Sequence, residues 1–300
     1  VSVAVHGLPS SSRDAAALAA RLGVPFHGIA IHPFPDGEIR VTVGPAAATT
    51  IVYASLDHPN DKLIALMFAA EALRRSGARR LVLVAPYLCY MRQDTAFVEG
   101  EAISQKVVGP LLARCFDRVV TIDAHLHRTP DIASVFPGIR SDNLSAMPAI
   151  SDALRSSGLD PATIVVGPDA ESLPWVSDLA GRLGLLHTVA TKIRRGDRSV
   201  AIEFQDHACI AGHPALIVDD IVSSGGTIIT CARALDAAGA TAVDVVVTHA
   251  LFPEAAHREM ISAGIRSIRS TRSVPHFTNA IVLDDLFMHA LKDELTEPSP

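Results

Sequence analysis

Residues 215–250 read ALIVDDIVSSGGTIITCARALDAAGATAVDVVVTHA, and this stretch decides the fold. Its first part, ALIVDD (215–220), is a short, continuous apolar run rich in branched residues. Strands buried on both faces look like that. GTIITCARALDAAGA (226–240) follows as a helix, and AVDVVVTHA (242–250) as a second buried strand. A strand, a helix and a strand in succession form the unit of a parallel sheet covered by helices. The junction carries the chemistry. Asp219 and Asp220 close the first strand, and Ser223, Ser224, Gly225, Gly226 and Thr227 lead into the helix. Ligands of open α/β sheets bind beyond the carboxyl ends of the strands. Backbone N–H groups, hydroxyls and a helix N-terminus suit a phosphate there. Two carboxylates would repel that phosphate, so they must serve another part of the ligand. A vicinal diol fits, each carboxylate accepting a hydroxyl proton. A ribose 5-phosphate unit satisfies both halves. No Gly-Lys-Ser/Thr follows the glycines, and no G-x-G-x-x-G stands there, which excludes a Walker loop and a dinucleotide fingerprint.

The same alternation runs outward to both ends. SVAVHG (2–7), TIVYAS (50–55), RLVLVAP (80–86) and RVVTIDA (118–124) read as strands. SRDAAALAARLG (12–23), DKLIALMFAAEALRRSG (61–77) and GEAISQKVVGPLLARCF (100–116) read as helices, the first two closed by glycine. EIRVTV (38–43) and RSVAIEF (198–204) alternate polar and apolar residues. TIVVGP (163–168) and AESLPWVSDLAGRLG (170–184) restart the strand–helix order. The pattern predicts an α/β chain of two domains, 1–145 and 146–295, joined near residues 140–150, with a loose tail at 296–300. Each domain is expected to be a mainly parallel sheet flanked by helices.

Composition narrows the function classes. The 300 residues are 49% hydrophobic and 19% charged, enough to bury a large core. A net charge of −6 argues against a nucleic-acid binder while leaving room for a local phosphate site. Cys89, Cys115, Cys209 and Cys231 include no C-x-x-C pair and lie in apolar or periodic segments, as reduced buried thiols do. No apolar stretch approaches the ~20 residues that a membrane span needs, so no membrane contact is expected. Residues 1–25 do not read as a signal peptide. A cytoplasmic location is the expectation.

The 215–228 stretch resembles the phosphoribosyl-pyrophosphate loop of type I phosphoribosyltransferases and of ribose-phosphate pyrophosphokinases. Further segments, in order along the chain, resemble the second group. HPFPDGEIRVTV (32–43) is similar to its Phe-x-Asp-Gly-Glu segment, which implies adenine contacts from Phe34, Asp36 and Glu38 toward a neighbouring subunit. Read alone, the segment fits a β-hairpin turn equally well. PYLCYMRQDTAFVEGEAISQKVVGPLL (86–112) resembles Pro-Tyr-x-x-Tyr-x-Arg-Gln-Asp followed by Gly-Glu-x-Ile-Ser. Arg92, Gln93 and Asp94 match the nucleotide contacts, and an arginine suits phosphate oxygens. TIDAHLHR (121–128) resembles the Asp-x-His segment, which makes His125 a metal-side residue. His127 and Arg128 depart from the usual continuation, Gln-x-Gln-Gly-Phe-Phe. VVGPDAESLPW (165–175) aligns Asp169 with a metal-associated carboxylate, with Glu171 and Ser172 replacing a glycine pair. TKIRRGDRSVAIEF (191–204) resembles the Lys-x-Arg catalytic loop, giving Lys192 and Arg194 the transferring phosphates, with Arg195 and Arg198 nearby. In the opening stretch itself, Ser223 and Ser224 stand where the family commonly has Asp and Thr.

The resemblance implies two phosphoribosyltransferase-like domains and a synthesis of phosphoribosyl pyrophosphate from ATP and ribose 5-phosphate. Asp219, Asp220 and residues 223–227 are expected to hold the ribose 5-phosphate. Mg²⁺ is the implied cofactor, and a homo-oligomer with its ATP site at a subunit interface is the implied assembly. Two other classes stay open: a type I phosphoribosyltransferase, and a catalytically silent homologue that regulates an active enzyme.

Overall fold

The computed structural model describes residues 2–194, 200–204 and 209–296. The chain forms two compact units. The first opens with β1 (Val3–Gly7), α1 (Ser12–Leu22), β2 (Phe26–Gly28), β3 (Ala30–Pro33), β4 (Ile39–Thr42), β5 (Thr49–Tyr53) and α2 (Pro59–Arg75). It continues with β6 (Arg80–Ala85), α3 (Ser104–Cys115), β7 (Arg118–Ile122) and β8 (Arg140–Leu144). Six strands form one sheet in the order β2-β1-β5-β6-β7-β8, every pair parallel. β3 and β4 form a separate antiparallel hairpin. The central strands β1, β5, β6 and β7 are buried almost throughout. Apart from Arg80 and Arg118, which open β6 and β7, their apolar, β-branched sequence follows from having helices on both faces. Helix α1 ends where Gly23 takes a left-handed conformation at φ 68°, and its N–H reaches back to the carbonyls of Ala19 and Ala20.

The second unit contains α4 (Met147–Ser156), β9 (Ile164–Gly167), α5 (Leu173–Leu183), β10 (His187–Arg194), β11 (Val200–Phe204), β12 (Pro214–Val222), α6 (Gly226–Ala237), β13 (Ala242–Ala250), α7 (Glu254–Ser262), β14 (Ile265–Thr271) and β15 (Asn279–Ile281). Its sheet runs β11-β10-β9-β12-β13-β14-β15. All neighbours are parallel except β10 and β11, which form an antiparallel edge. Strand order reverses between β9 and β12, the place where open α/β sheets receive ligands.

The division into units falls between Ser145 and Ala146, and the chain returns to the first unit after the second. Residues 273–275 and 283–296, including α8 (Asp284–Ala290) and α9 (Lys292–Thr296), belong to the first unit. The reason is electrostatic. Arg118 on β7 has no solvent exposure. Its guanidinium donates to Asp142 at 2.7 Å, to Asp293 and Glu294 at 2.8 Å each, and to the carbonyl of Ala290 at 2.9 Å. Arg80 grips the same Glu294 through two hydrogen bonds of 2.6 and 2.8 Å. A buried guanidinium needs such partners, and only the C-terminal helices supply enough of them. The expected join at 140–150 is likewise ordered, as edge strand β8 and the start of α4. No helix among the described residues is long and apolar enough to cross a membrane.

Candidate active site

In the second unit the reversal point collects three carboxylates. β9 and β12 pair from Ala215↔Ile164 to Ile217↔Val166, so the next residues of both strands project beyond the ladder together. On one side these are Gly167, Pro168 and Asp169; on the other they include Asp219 and Asp220. Asp220 is buried and Asp219 partly so. Burial, then the charges of Asp220 and Asp169, push the Asp219 carboxyl well above the usual carboxylate range. The same field reaches α6. The Cys231 thiol is pushed up to about 12, first by burial and then by Asp219 and Asp169. It remains a protonated, inert thiol at neutral pH.

Backbone geometry fixes the three acids. The amide of Asp220 donates to Asp219 Oδ1 at 3.1 Å, and that of Ile221 to Asp220 Oδ1 at 2.8 Å. Asp169 is extended and accepts the amide of Glu171 at 3.1 Å. Its carbonyl accepts the Ser172 hydroxyl at 2.6 Å. Ser172 therefore closes the turn where the family pattern has glycine. It does so against Gly167, whose added Cβ would stand 2.1 Å from Ser172 Oγ. Gly167→Ala should cost about 1–3 kcal/mol of stability, as overpacking does. Urea unfolding checks this, and adding Ser172→Ala should restore part of the loss.

Immediately after Asp220, residues 223–227 turn into α6. Ser223, Ser224, Gly226 and Thr227 are exposed. Gly225 caps the helix at φ 78°, a conformation that side chains rarely adopt, and a Cβ there would press on Met260 Sδ at 3.0 Å. Solvent-facing hydroxyls and first-turn amides thus follow an acidic pair directly, as the sequence predicts. Lys192 and Arg194 occupy β10, opposite Ile202 and Val200 of β11. Their side chains lie outside the described residues, as do Arg195 and Arg198 altogether.

In the first unit the expected nucleotide residues occupy two places. Phe34, Asp36 and Glu38 are exposed at the tip of the β3–β4 hairpin. The Phe34 amide donates to the Glu38 carbonyl at 2.8 Å, and Gly37 turns the chain at φ 90°. Ile31, Ile39 and Val41 pack the hairpin onto the core. Arg92 and Gln93 are exposed on the loop after β6. Asp94 is tied up: its side chain is only 3% exposed and accepts from Arg128 Nη1 at 2.9 Å. His125 and His127 lie on the loop after β7, their rings edge to face at 3.7 Å. That loop leaves the sheet through Asp123, a buried residue at φ 39°. Asn143 Oδ1 holds the next amide, that of Ala124, at 2.9 Å. The structure thus unites Asp169, Asp219, Asp220 and the 223–227 loop in one unit. In the other it links the Arg92–Asp94 segment to the His125 loop through Arg128, a contact that the sequence reading did not supply.

Comparison with known proteins agrees with both halves. Residues 4–115 match the N-terminal domain of ribose phosphate pyrophosphokinase, and residues 149–285 match a phosphoribosyl transferase domain. Ribose-phosphate pyrophosphokinase 2 of Archaeoglobus fulgidus is 35% identical over 266 residues, covering 89% of this chain and 92% of the relative. Ribose-phosphate pyrophosphokinase of Methanobrevibacter smithii is 30% identical over 298 residues, covering 95% of this chain and 98% of the relative. The crystal structure of phosphoribosylpyrophosphate synthetase from Mycobacterium smegmatis shares the fold, with a TM-score of 0.85 at 22% identity over 98% of this chain and 99% of that one. Two units with matching domains in matching order, and relatives aligned over nearly their whole length, make this chain a member of the ribose-phosphate pyrophosphokinase family.

Proposed function

We propose that this chain transfers the pyrophosphoryl group of ATP to the anomeric hydroxyl of ribose 5-phosphate, giving 5-phosphoribosyl 1-pyrophosphate and AMP. The observation that carries this reading is the sequence of groups at the β9/β12 reversal: two aspartates, then an exposed hydroxyl- and glycine-rich turn opening α6. The loop of residues 223–227 takes the 5-phosphate, and Asp219 and Asp220 accept hydrogen bonds from the ribose diol. Ser223 and Ser224 keep donors where the family commonly has an acid and a threonine.

The anomeric oxygen attacks the β-phosphorus of ATP and AMP leaves. Positioning and charge stabilisation carry most of such a step. Arg92, Gln93 and the exposed hairpin residues Phe34, Asp36 and Glu38 bind the nucleotide. Asp94, buried against Arg128, supports that segment from behind. Lys192 and Arg194 meet the transferring phosphates.

Mg²⁺ suits the donor set. Burial, then the charges of Asp220 and Asp169, lift Asp219; a hard divalent cation relieves the charge part, and carboxylate oxygens are its preferred ligands. Asp169 in the second unit and His125 in the first are the proposed metal-side residues. When bound, the cation neutralises phosphate charge.

A homo-oligomer accords with the hairpin. Beside it lies a groove of about 360 Å³ lined by Gly37, Glu38, Ile39, Asp61, Ile64 and Phe68. Ile64 and Phe68 on α2 are 42% and 46% exposed, apolar surface of the kind that subunits cover. A cytoplasmic location accords with Cys89, Cys115, Cys209 and Cys231 all being free thiols.

Incubation with ATP, ribose 5-phosphate and Mg²⁺ should yield AMP and phosphoribosyl pyrophosphate in equal amounts. ADP as the nucleotide product would overturn the reading. Absence of turnover would identify a silent member of the family instead.

A further inference from the structure

We infer that Arg128 is a nucleotide-phosphate ligand of this chain, positioned for that task by Asp94 and Phe97. The inference rests on the proposed use of ATP. Arg128 lies where the resemblance to the family breaks, in a stretch that elsewhere continues through glutamines. It stands on the loop beyond the carboxyl end of β7, the side of an open sheet that receives ligands.

Its side chain is 56% exposed, yet it is held at two points. Nη1 donates to Asp94 Oδ1 at 2.9 Å, and the guanidinium carbon sits 5.7 Å from the centroid of the Phe97 ring. An exposed arginine normally keeps its rotamer freedom and loses it on binding. This one is oriented beforehand, which removes part of that cost. A guanidinium carries five N–H donors in a fixed fork. Asp94 engages one nitrogen of the fork while the side chain as a whole stays more than half exposed.

The carboxylate nearest in sequence, Asp131, is engaged elsewhere, accepting the amide and the hydroxyl of Ser134 at 2.8 Å each. Glu101 Oε2 accepts the amides of Phe97 and Val98 at 2.7 and 3.3 Å, which folds the 97–101 loop onto itself. Between them, residues 92–101 and 123–131 carry two permanent cations, Arg92 and Arg128. Both are exposed. The Asp94–Arg128 bond ties the segment that carries Arg92 to the loop that carries Arg128, and paired guanidinium groups suit the oxygens of a polyphosphate.

Asp94 therefore acts as a positioning residue and does not touch the base or ribose.

Isothermal titration of the full chain with Mg·ATP and with adenosine tests this. Arg128→Met should weaken Mg·ATP about tenfold or more, the loss of a charge-assisted contact. It should leave adenosine affinity and the KM for ribose 5-phosphate unchanged, while the thermal midpoint falls modestly because Asp94 loses its partner. Arg128→Lys should recover part of the ATP affinity, and Asp94→Asn should lose a smaller share of it. Equal Mg·ATP affinity in wild type and Arg128→Met would overturn the inference. So would a parallel loss of adenosine affinity and ribose 5-phosphate affinity, which would make Arg128 a purely structural clasp. If the wild-type protein itself does not bind Mg·ATP, the proposed function fails first and the inference falls with it.

Discussion

Replacing Asp219 by asparagine should stabilise the second unit at neutral pH while removing most of its affinity for ribose 5-phosphate. Asp219 lies against Asp220 and Asp169, and its carboxyl is lifted by burial and by those two charges. The folded state therefore holds the Asp219 proton more tightly than the unfolded chain does. The stability from that proton is fully present below the unfolded carboxylate range and is lost as pH rises through the lifted folded value. At neutral pH the wild-type fold carries the repulsion. Asparagine is close in shape, keeps an oxygen for the amide of Asp220 and removes one charge. A gain of about 1 kcal/mol, or about 2–4 °C in the unfolding midpoint, is expected at pH 7. The gain should shrink as pH falls and the lifted Asp219 carboxyl takes up its proton. Activity should move the other way. An amide accepts a diol proton less strongly than a carboxylate, and the loss should be about 10- to 100-fold in kcat/KM for ribose 5-phosphate. A variant that is less stable at pH 7 would show that the acids do not strain the fold.

The second large effect lies far from the acids, at Glu294. This carboxylate is 3% exposed and pairs with both Arg80 and Arg118. Glu294→Ala leaves the fully buried Arg118 short of a partner, and removing one side of a buried pair typically costs about 3–5 kcal/mol. Unfolding followed by a probe in the first unit should show that loss, with the second unit's transition unmoved. The pH dependence has a definite sign. Burial pushes the Glu294 carboxyl up, but the hydrogen bonds from Arg80 and Arg118 outweigh it and hold it below the ordinary range. Asp293 is lowered in the same way by Arg118 and Arg140. Their contribution is present above the unfolded carboxylate range and is lost as pH falls through the lowered values. Wild type should therefore lose stability on acidification more steeply than Glu294→Ala. Parallel pH profiles would remove Glu294 from the account.

What the sequence made legible follows from what burial does to composition. β6, β7, β12 and β13 are covered on both faces, so each reads as an apolar run. The acid pair and the glycine turn were legible because their chemistry is contiguous. Edge strand β8, with the sequence RSDNL, has a neighbour on one side only and carries no apolar run, so it read as a linker. α8 and α9 read as the end of the second half because nothing local in KDELT reports that Asp293 and Glu294 face an arginine on β7. The Asp94–Arg128 pair was hidden for the same reason. Motif spacing says which residues are adjacent in sequence, and a salt bridge between two loops is not a spacing. Asp123 was noticed as part of a motif, but its left-handed backbone is a property of how β7 ends against β8.

The return of residues 283–296 to the first unit has a consequence for the order of assembly. A nascent chain emerges from its N-terminus, and domains generally fold as they appear. Here the half made first cannot finish first. Arg118 is synthesised long before Asp293 and Glu294, and the whole of the second unit lies between them in sequence. The second unit can fold as soon as it is out, while the first waits with a guanidinium site incomplete until α9 is released. Proteolytic trimming after Leu291 would undo that final step, and its damage would appear in the half of the molecule farthest away along the chain.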